Sequence, residues 1–169
     1  GNVFGSSGSV FPKFIEQIKL NQKITITDPK MTRFSITMDD ALNFIINAIK
    51  FGKGSEIFVP RLKAYSILTI NDALSDIYGK IKQETIGIRP GEKLHETLID
   101  KDEMRYSWEY KNMYLISNPF YPTFYGKKIE KVYNGIKKIK KTDVYSSDKV
   151  QTLSKKEIIN TLKQSELVK

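Results

Sequence analysis

The chain has 169 residues, 40% of them apolar, with no cysteine and one histidine; it can bury a sizeable core, and a disulfide framework, cysteine-ligated zinc and a histidine-rich metal site are excluded. Its net charge of +9 is concentrated, because residues 127–169 hold 12 of the 28 Lys and Arg but 5 of the 19 acids. Those twelve cations are all lysine, with no arginine to read bases and no interleaved aromatic platform, which disfavours nucleic-acid binding.

In chain order, Asn2 to Ser9 reads as a glycine- and serine-rich loop, and a helix is expected from about Pro12, with Phe14, Ile15 and Ile18 on its buried face. Ile24 to Thr27 alternates like a short strand. Thr37 to Asp40 has the form of a capping box and opens a helix carrying Leu42, Ile45, Ile46 and Ile49 on one face, ended by Gly52-Lys53-Gly54. Glu56 to Val59 reads as a buried strand, Ile70 to Tyr78 as a helix stopped at Gly79, and Glu84 to Ile88 and Met113 to Ile116 as further strands. From 127 to 141, apolar residues 129, 132, 133, 136 and 139 recur at helical spacing, which predicts a docked amphipathic helix with lysines on its wet face. Ser154 with Glu157 caps a last helix whose Ile158, Ile159 and Leu162 pack back. Alternating helices and strands argue an α/β fold, divided into a body over 1–122 and a basic helical tail over 123–169. No apolar run approaches the length of a membrane span and no segment resembles a signal peptide, so the expected location is cytoplasmic.

Two segments stand out chemically, Thr27-Asp28-Pro29-Lys30-Met31-Thr32-Arg33-Phe34 and Ile88-Arg89-Pro90-Gly91-Glu92-Lys93-Leu94-His95-Glu96. Each places one arginine beside a proline turn after a short apolar strand. A guanidinium is always charged and offers a planar fork matching phosphate oxygens, so two such residues suit a grip on a diphosphate from two sides. Taken alone, an arginine after a turn is more often a surface ion pair.

Together with Gly1-Asn2-Val3-Phe4-Gly5-Ser6-Ser7-Gly8-Ser9-Val10-Phe11-Pro12, Ile36-Thr37-Met38-Asp39-Asp40-Ala41 and Glu56-Ile57-Phe58-Val59-Pro60, these segments follow one another in a known order. Over residues 1–118, and again at Tyr145-Ser146-Ser147-Asp148, the chain resembles the extended short-chain dehydrogenase/reductase family, specifically inverting UDP-N-acetylglucosamine 4,6-dehydratases and their capsular polysaccharide biosynthesis relatives. The resemblance implies the C-terminal part of an extended Rossmann-type NAD(P)-binding fold with its small substrate-binding subdomain. It implies oxidation of C4 of a UDP-linked N-acetylhexosamine, loss of water across C5–C6, hydride return to C6 and inversion at C5, toward a pseudaminic-acid-type or capsular sugar. The same words fit a UDP-N-acetylhexosamine 4-epimerase or a C5-retaining dehydratase. A free-standing nucleotide-sugar binding module and a basic nucleic-acid-binding module are the readings from other classes.

The resemblance also assigns roles. Asn2 would bond the diphosphate, Ser6, Ser7 and Ser9 would offer hydroxyls near the sugar, and Val10 and Phe11 would line the uridine slot. Met31, Thr32 and Arg33 would form a second wall, Arg89 an opposing phosphate clamp and Glu92 an acceptor for sugar hydroxyls; Lys93 would add positive potential. His95 reads as a structural member of its turn. No G-x-G-x-x-G turn follows a strand, and no Tyr-x-x-x-Lys pair sits in the family's catalytic setting. The expectation is therefore a C-terminal half without catalytic residues and inactive alone. NAD(P) would be held by an N-terminal half, the substrate would be a UDP-sugar, and the full-length protein would be a homo-oligomer. An exposed apolar face including Phe4, Phe11, Ile57 and Val59 is expected where that half packs.

Overall fold

The computed structural model describes residues 2–6, 8–140, 143–165, 167 and 168. The elements run β1 (Asn2–Val3), α1 (Val10–Lys19), β2 (Ile24–Ile26), β3 (Thr32–Ile36), α2 (Met38–Phe51) and β4 (Ile57–Pro60). Next come β5 (Ala64–Ser66), α3 (Ile67–Tyr78), β6 (Gln83–Thr85), β7 (Thr97–Ile99), α4 (Lys101–Met104), β8 (Ser107–Tyr110) and β9 (Met113–Ile116). The chain closes with α5 (Tyr121–Tyr125), α6 (Ile129–Val132), β10 (Lys137–Lys138), β11 (Tyr145–Ser146) and α7 (Lys155–Gln164). Two compact units result, and both are discontinuous in sequence. This partition does not coincide with a division at residue 122, because the final segment folds into the first unit.

The first unit comprises Gly1–Met38, Leu62–Glu96 and Ser147–Lys169. Its three-stranded sheet has the order β1-β3-β5, with β1 parallel and β5 antiparallel to β3, beside a parallel β2-β6 pair. Helix α1 carries Phe11, Phe14 and Ile15 at the spacing that places them on one face, and all three are buried. They pack with Ile24 and Ile26 of β2, Ile70, Ala73 and Leu74 of α3, and Ile158 and Leu162 of α7. Ser66 caps α3 by accepting from the Thr69 amide, and α3 ends where Gly79 takes φ 85°. The expected capping box of α7 is complete, with the Ser154 hydroxyl on the Glu157 amide and the Glu157 carboxylate on the Ser154 amide.

The second unit comprises Asp39–Arg61 and Thr97–Ser146. Its antiparallel sheet has the order β10-β8-β9-β4, with a short β11-β7 pair. Leu115, Tyr121, Ile129 and Tyr133 form its core, backed by Phe58, Trp108 and Tyr110. The α/β expectation holds, with parallel and antiparallel pairing both present.

Three expectations are corrected. The continuous helix over 127–141 is absent among the described residues; α6 makes one turn, and after Gly135 (φ 79°) Lys137 and Lys138 pair with Glu109 and Trp108 of β8. Asn134-Gly135 is a turn dipeptide that outweighs the apolar spacing, and Ile129 and Tyr133 are drawn into the aromatic core. Lys141 lies outside the described residues. The strand expected at Glu84 to Ile88 ends at Thr85, leaving Ile86 and Ile88 exposed. The exposed apolar face is also not where it was expected. Phe11 and Val59 are buried, Phe4 stacks on Phe11 at 4.1 Å, and Ile57 alone of the four is exposed. The exposed apolar surface is instead on α2, where no residue is buried and Leu42, Ile45, Ile46 and Ile49 are 52–77% exposed.

These burials separate two apolar helices by their effect on stability. In the 169-residue chain, Leu162→Ala is expected to lower unfolding stability by about 2–5 kcal/mol, whereas Ile49→Ala should stay within about 0.5 kcal/mol. Urea unfolding followed by circular dichroism checks both; equal effects would contradict the packing of α7.

Candidate functional site

In the first unit a cleft of about 240 Å³ opens where β1, the head of α1, the end of β2, β3 and the 86–96 loop meet. Seven of the sequence-derived site residues line it: Asn2, Ser9, Val10, Met31, Arg33, Arg89 and Glu92. Arg33 and Arg89, far apart in sequence, thus share one cavity. The Asp28 carboxylate accepts from the Lys30 amide at 2.7 Å and so fixes the Pro29 turn ahead of Met31. Ser7 lies outside the described residues.

Arg33 sits on β3 with a side chain that is mostly buried. Its Nη1 donates to the carbonyls of Thr32 (2.8 Å) and Leu94 (3.0 Å), while Nη2 and Nε lie 3.7 and 3.9 Å from the carboxylates of Glu92 and Glu96. The fork is therefore engaged by the 92–96 turn. Glu92 acts as its counter-ion and accepts from the Arg89 amide at 3.3 Å. Asn2 likewise spends one amide hydrogen on Glu96, at 2.8 Å. Arg89 differs, being exposed and pairing with no carboxylate among the described residues.

Thr32 is corrected as a cleft residue. Its side chain is buried, and its hydroxyl lies 2.8 Å from Nδ1 of His95 and 2.7 Å from the Ser147 hydroxyl. Alternation along β3 puts Thr32 and Arg33 on opposite faces, so both cannot face one ligand. Ser147 also accepts from the Glu96 amide at 2.9 Å, and its own amide donates to the Glu96 carbonyl at 2.8 Å. His95 is thus part of a buried hydroxyl network and does not line the cleft.

Lys13, Phe14, Thr25, Thr27, Tyr65 and Ile67 also line the cavity and were not named as site residues from sequence. Thr25 and Thr27 were legible in principle, since they alternate with the buried Ile24 and Ile26. Tyr65 was not, because β5 carries too short a pattern to be recognised. Burial pushes the Tyr65 hydroxyl pKa well up, the Glu96 carboxylate raises it further and Arg33 opposes both, so it stays a neutral phenol. Among the described residues no cluster of His, Asp or Glu could hold a metal ion, and no helix is long and apolar enough to cross a membrane.

Residues 1–118 match the family model described as polysaccharide biosynthesis protein. The chain belongs to this family. Its relatives include a UDP-glucose 4-epimerase of Rickettsia canadensis, 36% identical over 94% of the chain and 46% of the relative. A UDP-N-acetylglucosamine 4,6-dehydratase (inverting) of Campylobacter jejuni is 35% identical over 98% of the chain and 50% of the relative. Among solved structures, Pen from Bacillus thuringiensis superposes with a TM-score of 0.82 at 35% identity, over all of this chain and 48% of its own. The chain spans about half the length of the curated relatives it matches. The polysaccharide-biosynthesis fold is thus shared with longer, Rossmann-type nucleotide-sugar dehydratases and epimerases.

The buried hydroxyl network makes a direct prediction. Ser147→Ala leaves the Glu96 amide without that acceptor and the Thr32 hydroxyl with His95 alone, and should cost about 1–3 kcal/mol in urea unfolding. Wild-type stability in that variant would contradict the network.

Proposed function

We propose that this chain is the substrate-binding part of an NAD(P)-dependent, C5-inverting UDP-N-acetylglucosamine 4,6-dehydratase serving synthesis of a pseudaminic-acid-type or capsular sugar. The observation that carries the reading is the convergence of Asn2, Ser9, Arg33, Arg89 and Glu92 on one cleft, in a chain whose relatives act on UDP-sugars by name. The exposed Arg89 suits bidentate contact with phosphate. Met31 and Val10 give the cleft apolar walls against which a base and ribose can pack. Ser9 offers a hydroxyl to phosphate or sugar. Arg33 lines the same cleft, with four acceptors already around its guanidinium.

The described strand-to-helix turns contain no G-x-G-x-x-G sequence, which supports assigning the cradle of the dinucleotide pyrophosphate to other residues. Its own contribution is binding and orientation. Contacts to UDP, remote from C4, C5 and C6, hold the hexose in position for chemistry supplied by other residues. In the full-length protein, which we take to be a cytoplasmic homo-oligomer, that chemistry sits in the part of the relatives' length that this chain does not span. The apolar face of α2 is the surface that this additional chain would cover.

Two experiments test the proposal. In the full-length protein, Arg89→Ala is expected to weaken UDP binding about 10- to 100-fold by calorimetry, the equivalent of one charge-assisted hydrogen bond, while NAD(P) affinity is unchanged. Unchanged UDP affinity would contradict the site, and a product spectrum showing only C4 epimerisation of UDP-N-acetylglucosamine would favour the epimerase reading. For the 169-residue chain by itself, self-association and binding of a hydrophobic dye are expected, both reduced by Ile46→Glu with Ile49→Glu; a dye-silent monomer would contradict the covered face.

A further inference from the structure

Lys13, beside Ser9, carries an inference beyond the residues that the family pattern points to. Lys13 follows Ser9 by four positions on α1, and its amide donates to the Ser9 carbonyl at 3.3 Å, so the two side chains share one face. Helical side chains lean toward the N-terminus, which directs Lys13 back over the first turn. Both residues line the cleft.

The head of α1 also lacks the features that would neutralise it. No acid occupies its first turn, and Ser9, at the N-cap position, makes no side-chain capping bond. The Ser9 Oγ is buried and has no hydrogen-bond partner among the described residues, although a buried hydroxyl ordinarily finds one. Lys13 pairs with no carboxylate among the described residues. A lysine beside the positive end of a helix dipole is electrostatically misplaced unless an anion sits there. Elsewhere in the cleft, the charge of Arg33 is balanced by Glu92 and Glu96 and its Nη1 is taken by two carbonyls, while Asn2 spends one amide hydrogen on Glu96. Among the described residues, the cleft cations without a carboxylate partner are therefore Lys13 and Arg89.

We propose that Lys13, with the Ser9 hydroxyl, grips the pyrophosphate of the nucleotide from the α1 side of the cleft, opposite Arg89. This rests on the nucleotide-sugar reading of the same cleft and specifies which side chains hold the ligand's charge. Calorimetric titration of the full-length protein with UDP and with uridine tests it. Lys13→Met is expected to lower UDP affinity about tenfold or more while leaving uridine affinity within about twofold, and Lys13→Arg should retain most of the UDP affinity. Because Lys13→Arg keeps charge and helix propensity, its retained binding beside the loss in Lys13→Met separates a phosphate contact from a folding defect. UDP affinity in Lys13→Met within about twofold of wild type overturns the role of Lys13, and if Arg89→Ala still loses binding the cleft assignment stands. A wild-type protein that binds neither UDP nor uridine overturns the cleft assignment and this inference with it.

Discussion

The Glu96 carboxylate ties the 86–96 loop to β1 and β3, which already pair as strands. One oxygen accepts from the Asn2 side chain at 2.8 Å and lies 3.9 Å from Nε of Arg33; the other accepts from the Phe34 amide at 2.8 Å. These contacts add to the strand pairing of β1 with β3 in positioning the 86–96 loop, and the cleft is the space between them and α1. Ser147 secures the same turn from behind, taking the Glu96 amide and touching the Thr32 hydroxyl. A charge-assisted bond to a half-buried carboxylate is stronger than a neutral one, so this hub is a stiff element of the site. This hub has a consequence for recognition, because the amide hydrogen that Asn2 spends on Glu96 is not offered to a ligand.

That consequence explains where sequence and structure part company. The two arginine segments were recognisable as a pair, and the structure brings Arg33 and Arg89 to one cavity. What no sequence pattern shows is that Arg33 is engaged by the turn that carries Glu92 and Glu96, or that Thr32 faces away from it. Motif reading identifies which residues gather; hydrogen-bond competition among them decides which remain free. Lys13 escaped notice because a lysine on an amphipathic helix ordinarily marks the wet face, and its place in the cleft emerges only from the path of α1.

Elements with strong helical periodicity or caps were legible, as α1, α3 and α7 show. Of the short strands, β2, β4 and β9 were legible and others were not. Thr32–Ile36 follows an Asp-Pro turn and reads as loop, yet it is the central strand of its sheet. The β8–β9 hairpin turns through Lys111-Asn112, with Lys111 at φ 52°, and lacks the Asn-Gly signal that flags such turns. In residues 127–141 the local apolar spacing suggested one long helix, but long-range packing of Tyr133 on Tyr110, with ring centroids 5.1 Å apart, and pairing of β10 with β8 override it. The lysine-rich segment is thus built into the second unit's sheet, with Lys138 over the Trp108 ring at 4.5 Å.

The central claim is that the cleft between α1, β3 and the 86–96 loop holds the diphosphate of a nucleotide sugar. A crystal structure of the full-length protein soaked with UDP tests it most directly. The account predicts phosphate oxygens within hydrogen-bonding distance of the Arg89 guanidinium, with the base and ribose against Val10 and Met31. UDP bound elsewhere, with Arg89 still facing solvent, would contradict it.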